Sequence, residues 1–173
     1  SLFASTQFGF DNFLYLDITG RNDWSSSLPG QSFFYPSVGL SSILTEKMSL
    51  GGINFAKVRA SYAIVGSGVP AYLNNPISER HQIVNGQLVL TNVGVLPGTV
   101  LKPEKSKSFE IGLDMRALDN RLSVDLTYYK NNTIDQFIQI AAPAGSDFSA
   151  YLVNAGNIQN SGIEGLIGYQ VLK

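Results

Sequence analysis

From Lys105 to Lys130 apolar and polar residues alternate along the chain. Phe109, Ile111, Leu113 and Met115 are apolar, and Ser108, Glu110, Gly112, Asp114 and Arg116 around them are small or polar. A tight turn at Ala117-Leu118-Asp119-Asn120 interrupts the pattern. It resumes with Leu122, Val124, Leu126 and Tyr128 in one phase and Ser123, Asp125, Thr127 and Tyr129 in the other. Side chains of a strand point to opposite faces with period two, so this stretch predicts a hairpin with one apolar and one wet face.

The same alternation predicts further strands. Leu2 to Phe10 places Leu2, Ala4, Phe8 and Phe10 on one face. Asp11-Asn12 has the chemistry of a two-residue hairpin turn. Phe13 to Trp24 follows, with Leu14, Leu16 and Ile18 outward and Tyr15, Asp17, Thr19, Arg21 and Asp23 opposite. Phe34 to Thr45 is the third strand; its Pro36 predicts a strand end or a position where no ladder donor is needed. A connection over 46–54, with one helical turn at Glu46-Lys47-Met48, leads to a fourth strand from Phe55 to Val65. Gly66 to Glu104 reads as a long irregular segment with a short strand at Leu88-Val89-Leu90, and connections of that length are usually functional or mobile. The second hairpin strand runs on to Ile140, because Ile134, Ile138 and Ile140 keep the outward phase. Ala141 to Ala155 reads as a loop, and Gly156 to Leu172 as the last strand.

Connection lengths alternate between short and long. In an up-and-down sheet alternate connections share an end, so one end carries tight turns and the other long loops. Outer-membrane barrels have that asymmetry, together with strands that alternate apolar-out and polar-in. Strands of ten or more residues match the ~9–11 that a tilted strand needs to cross a bilayer. Aromatics near strand ends (Phe10, Phe13, Trp24, Phe33, Phe34, Tyr35, Phe55, Tyr128, Tyr129 and Tyr169) suit interfacial girdles. The expected fold is therefore all-β: an antiparallel up-and-down transmembrane β-barrel segment of about seven strands. The alternative is a soluble β-sandwich, a carbohydrate-binding or adhesin module with its apolar face against a second sheet.

Composition narrows the chemistry. Charged residues make up 14% of the 173, against about 25% in a typical soluble domain. Uncharged polar residues and aromatics fill the difference. The net charge of −1 gives no footprint for nucleic acid. With no cysteine there is no thiolate chemistry and no disulfide framework. No cofactor or metal is expected. The lone histidine, His81, reads as a solvated loop side chain, as do Glu79 and Arg80. Gly66-Ser67-Gly68-Val69-Pro70 lacks the Lys-Ser/Thr pair of a phosphate loop. Asn131-Asn132-Thr133 matches a glycosylation sequon of the kind that arises by chance. A glycosidase needs two carboxylates about 5–9.5 Å apart. Glu110 and Asp114, on one face of one strand, lie roughly 13 Å apart at ~3.3 Å per residue, so an enzyme is not expected. The wet face carries Asp17, Arg21, Asp23, Lys57, Arg59, Glu110, Asp114, Arg116 and Asp125, which either line a hydrated path or pair across strands. The loop aromatics Tyr72, Phe148 and Tyr151 are candidates for stacking on sugar rings, or for loop packing and contact with a partner.

Three stretches carry a family resemblance. Gly20-Arg21-Asn22-Asp23-Trp24-Ser25-Ser26-Ser27-Leu28-Pro29, followed by Phe34-Tyr35-Pro36-Ser37-Val38, is one. The run from Leu101-Lys102-Pro103-Glu104 to Phe109-Glu110-Ile111-Gly112-Leu113-Asp114 is another, and Asn154-Ala155-Gly156-Asn157-Ile158-Gln159-Asn160-Ser161-Gly162-Ile163-Glu164 is the third. Together they resemble SusC/RagA-type TonB-linked outer-membrane proteins of Bacteroidetes. The resemblance implies a parent barrel of 22 strands, of which residues 1–173 form part of the single barrel domain, without the plug domain. It implies import of glycans or peptides, a SusD-like surface lipoprotein as cap, the TonB complex as energy source (engaged through parts outside this chain), and lipid around the wall.

Overall fold

The computed structural model describes residues 1–25, 32–68, 80–84, 87–91, 93–96, 98–144, 146 and 148–172; for 80–84 and 87–91 it describes the backbone course alone. Two tight turns, at 11–13 and 118–121, set the register of the strands they join. After β1 (Leu2–Phe10), Asp11 and Asn12 both take positive φ and Phe13 N–H donates to the Phe10 carbonyl at 3.0 Å. Two successive residues with φ above zero give a turn whose twist matches that of the flanking strands. β2 (Leu14–Trp24) therefore returns directly beside β1, with Phe8 opposite Leu16 and Phe10 opposite Leu14. β3 (Ser32–Ile43) lies on the far side of β2. Pro36 faces Gly20 of β2, while pairing with the next strand begins only at Ser37, so the missing N–H interrupts no ladder on that side.

A single 3₁₀ turn at Leu44–Glu46, two residues before the expected position, leads to β4 (Ile53–Ser67). The chain then forms a separate two-stranded hairpin, β5 (Arg80–Val84) and β6 (Gln87–Thr91), and a three-residue strand, β7 (Val93–Val95). The segment read as irregular thus holds three short strands; the expected Leu88–Leu90 strand lies within β6. β8 (Glu104–Ala117) pairs with β4, β9 (Leu122–Ala141) with β8, and β10 (Ala150–Tyr169) with β9. β10 starts six residues before the expected Gly156, because Ala150–Ala155 continue the ladder opposite Gln136–Ala141. The main sheet has eight strands in the order β1-β2-β3-β4-β8-β9-β10-β7. Seven form an antiparallel meander, as the sequence predicts, and β7 joins as a short parallel addition beside the start of β10.

The register sorts the side chains. Phe8, Leu16, Leu40, Ala60, Ile111, Tyr128 and Ile163 form one row on the outward face. Ile18, Val38, Tyr62 and Phe109 lie in the row beside it. No other element among the described residues packs over these side chains, and Leu40 is 47% exposed and Ile111 49%. The other sheet among the described residues is the two-stranded β5–β6 hairpin, too small to cover this face as the second sheet of a sandwich would. No described helix is long and apolar enough to cross a membrane, which says nothing against strands that do.

What core exists lies on the inner side at the long-loop end. Leu101 and Leu152 are buried there, with Phe33, Val93, Val95 and Phe137 packed around them. Phe33 belongs to β3 and Phe137 to β9, with β4 and β8 between them in the sheet. They meet one cluster because the sheet curves and the segment before β8 lies across its concave face. Asn154 fastens that segment: its side chain accepts from Lys102 N–H and donates to the carbonyls of Lys102 and Asp135, each at 2.7 Å.

Candidate functional site

Below the leucine cluster the inward face is mainly polar, built by the same alternation that turns apolar groups outward, and Ile158 and Leu166 of β10 interrupt it. On the first strands Gln7 donates to Asp17 at 2.7 Å, the Thr19 and Ser37 hydroxyls are 2.6 Å apart, and Arg21 holds Asp23 in a two-point contact at 2.7 and 2.8 Å. In the middle, Arg59 of β4 reaches past β8 to Asp125 of β9 at 3.0 Å and to the Thr127 hydroxyl at 2.7 Å. It can do so because the residue between them is Gly112. A Cβ there would lie 2.6 Å from Arg59 Nε. Asp114 stands opposite Asp125 and Lys57 opposite Asp114 in the ladders, so two facing carboxylates are flanked by two cations. Arg116 lies over the Phe55 ring at 5.5 Å. Higher up, Ser106 donates to the Asn131 side chain at 2.6 Å, which places the sequon asparagine inside the wall.

Of the expected wet-face residues, Asp17, Arg21, Asp23, Lys57, Arg59, Glu110, Asp114, Arg116 and Asp125 all fall on this inner face. The described contacts pair Asp17, Arg59 and Asp125 across strands, whereas Arg21 and Asp23 pair within β2. Tyr72, Glu79 and the loop at 26–31 lie outside the described residues, as does the side chain of His81. Phe148 and Tyr151 are described and do not form an open stacking platform. Tyr151 belongs to β10 and is buried, opposite Ile140 on the outward side. Its ring meets Phe148 at 5.5 Å, and Phe148 in turn covers Gly94 of β7. The end aromatics also divide. Phe10, Trp24, Phe34, Tyr128 and Tyr169 face outward, whereas Phe33, Tyr35, Phe55 and Tyr129 face inward with the polar set. The step of two from one strand end decides between those outcomes, and proximity to an end alone does not. Among the described residues no group of three His, Asp or Glu side chains could hold a metal ion.

A curved antiparallel sheet with a bare apolar outer face, a hydrogen-bonded polar inner face and its tight turns at one end is the wall of an outer-membrane β-barrel. The chain belongs to the family described as TonB dependent receptor-like, beta-barrel, whose model matches residues 1–172. It is 26% identical over 175 residues to TonB-dependent receptor P26 of Formosa agariphila and 29% identical to TonB-dependent receptor P3 of the same organism, covering 95% of this chain in each case. It spans 17% of the length of either relative. Among solved structures it resembles the RagAB peptide transporter, at 25% identity with a TM-score of 0.79, over 99% of this chain and 20% of that one. The siderophore receptor PirA from Pseudomonas aeruginosa shares the fold, with a TM-score of 0.65 at 19% identity over 94% of this chain and 29% of that one. The chain is accordingly an outer-membrane protein, and its family is one of receptors, not a class of enzymes.

Proposed function

We propose that this chain is an arc of the barrel wall in a TonB-linked importer that takes up an oligomeric nutrient. The observation that carries the reading is the segregation of the sheet into a largely apolar outer face and a largely polar inner face, the latter cross-bonded between β1 and β2, β2 and β3, β4 and β9, and β8 and β9. The wall supplies no covalent chemistry. It holds a hydrated path open, excludes lipid from it, and presents rigid donors and acceptors along it. Energy enters through the TonB complex at parts of the receptor other than this wall, and a SusD-like lipoprotein caps the long-loop end. The RagAB likeness supports the class of importer.

The inward surface favours an oligosaccharide. Its accessible groups are dominated by hydroxyls and amides (Thr19, Ser37, Ser106, Ser108, Thr127 and Asn131), and several of its charges are already paired. Sugar hydroxyls both donate and accept, which suits such a lining. A peptide is the second reading, supported by the substrate class named for the RagAB transporter.

Two measurements test the proposal. In the full-length receptor, probes attached at Ile111, Leu113 and Leu126 should report lipid and those at Glu110 and Asp114 water; equal hydration of both sets would remove the barrel-wall reading. A strain lacking the receptor should then lose growth on an oligosaccharide from a panel of glycans and peptides given as sole carbon source. Loss confined to peptides would replace the glycan by the peptide.

A further inference from the structure

The outward face has one charged patch, and it is of one sign. By strand alternation the charged residues on the outer face of the described main-sheet strands are Lys105, Lys107 and Lys130. The acidic residues of those strands (Asp17, Asp23, Glu104, Glu110, Asp114, Asp125, Asp135 and Glu164) fall in the inward phase. The three lysines are neighbours. Lys107 stands opposite Asn132 and Lys130 opposite Phe109, which makes Lys107 and Lys130 diagonal partners with Cβ atoms roughly 7–8 Å apart. Both line a shallow hollow of about 320 Å³ with Tyr62, Phe109, Asn132 and Asn157. Neither takes part in an ion pair among the described residues.

The height of the patch is set by the strand. From Ala117 at the tight-turn end to Lys107, β8 runs about 33 Å at ~3.3 Å per residue. A tilt of ~40° reduces that to about 25 Å, the height of the apolar band on barrels of this kind. The lysines therefore stand at the upper rim of the band, on the long-loop side, among the outward apolar side chains Tyr62, Ile64, Phe109 and Ile134. A lysine at that level lays its methylenes along the apolar edge and lifts its ammonium to the headgroups.

We infer that Lys107 and Lys130 hold the phosphate of a phosphorylated outer-leaflet lipid against the wall, with Asn132 and Asn157 donating to its oxygens and Tyr62 and Phe109 bearing on its first methylenes. Two ammonium groups converging on one phosphate make charge-assisted bonds at a boundary where water screens less than in bulk. This inference rests on the outer-membrane location and not on the identity of the imported nutrient.

The test uses the full-length receptor purified in dodecyl maltoside, with bound lipid A read by native mass spectrometry. The wild type should retain lipid A, the double variant K107Q/K130Q should retain roughly tenfold less or lower, and K107R/K130R should retain it. Lys47→Gln, at the opposite end of the wall, should leave retention unchanged. Lipid A added back should raise the unfolding temperature of the wild type and not of K107Q/K130Q, while dephosphorylated lipid A should raise neither. Equal retention by wild type and K107Q/K130Q would overturn the inference, as would protection by inorganic phosphate equal to that by lipid A. Loss of the surface lipoprotein from K107Q/K130Q with lipid retention intact would overturn it too, and would assign the patch to that partner.

Discussion

At the scale of single residues, the inner face is organised by an absence. Gly112 leaves a gap in β8 through which Arg59 joins β4 to β9. Gly112→Val closes that gap and forces the guanidinium off Asp125 and Thr127. Overfilling a packed site costs about 1–3 kcal/mol. The full-length receptor carrying Gly112→Val should therefore unfold at a lower temperature in heat-modifiable gel mobility, with its outer face unchanged. The polar phase of every residue in this contact is legible in the sequence, since period two is a local property. The contact itself is not. It depends on β4 lying beside β8 across the long excursion through 68–103, and no local pattern states which strands become neighbours. Tyr151 was hidden for a related reason. Its neighbours include Pro143, Gly145 and Asp147, residues of turn chemistry, and only the ladder to β9 draws it out of the loop and into a strand.

At the scale of elements, strand and turn were readable wherever the apolar phase was long, as in β1, β2, β8 and β9. Of the short strands, β6 is legible as Leu88–Leu90, whereas β5 and β7 are not. β7 has three residues and is held by its parallel pairing to β10, by Leu96 N–H donating to the Leu152 carbonyl, and by the Leu101–Leu152 cluster. Its stability comes from burial and not from propensity. Leu101→Ala should show this directly. Removing a buried leucine side chain costs about 2–5 kcal/mol where the site cannot collapse. Here the cost should appear as faster amide exchange over 93–103 in the full-length receptor, with exchange in β8 from Phe109 to Ala117 unchanged. Acceleration throughout β8 would mean that the strap and the wall unfold as one unit.

At the scale of the whole molecule, the two ends differ in how they are tied. The tight-turn end is laced by backbone bonds between turns: Leu118 N–H to the Gly52 carbonyl at 3.1 Å, Asn120 N–H to the Asn54 side chain at 3.2 Å, and Gln170 N–H to the Arg121 carbonyl at 2.8 Å. Lys47 and Asp11 pair there as well. The opposite end relies on side chains, through Asn154, Glu104 and the leucine cluster. Main chain thus contributes most at the tight-turn end, with Asn54 and the Lys47–Asp11 pair beside it, and particular side chains contribute most at the other.

β9 and β10 each have 20 residues, about twice what a bilayer requires. At ~3.3 Å per residue and a tilt of ~40° they stand roughly 50 Å tall, some 25 Å of it above the apolar band. This side of the wall is a chimney, rising through the headgroups and opening beyond them. In the importer proposed above, a bulky solute arriving from outside would meet a stiff, hydrogen-bonded rim clear of the crowded sugar layer of the membrane surface, and would enter without having to push that layer aside.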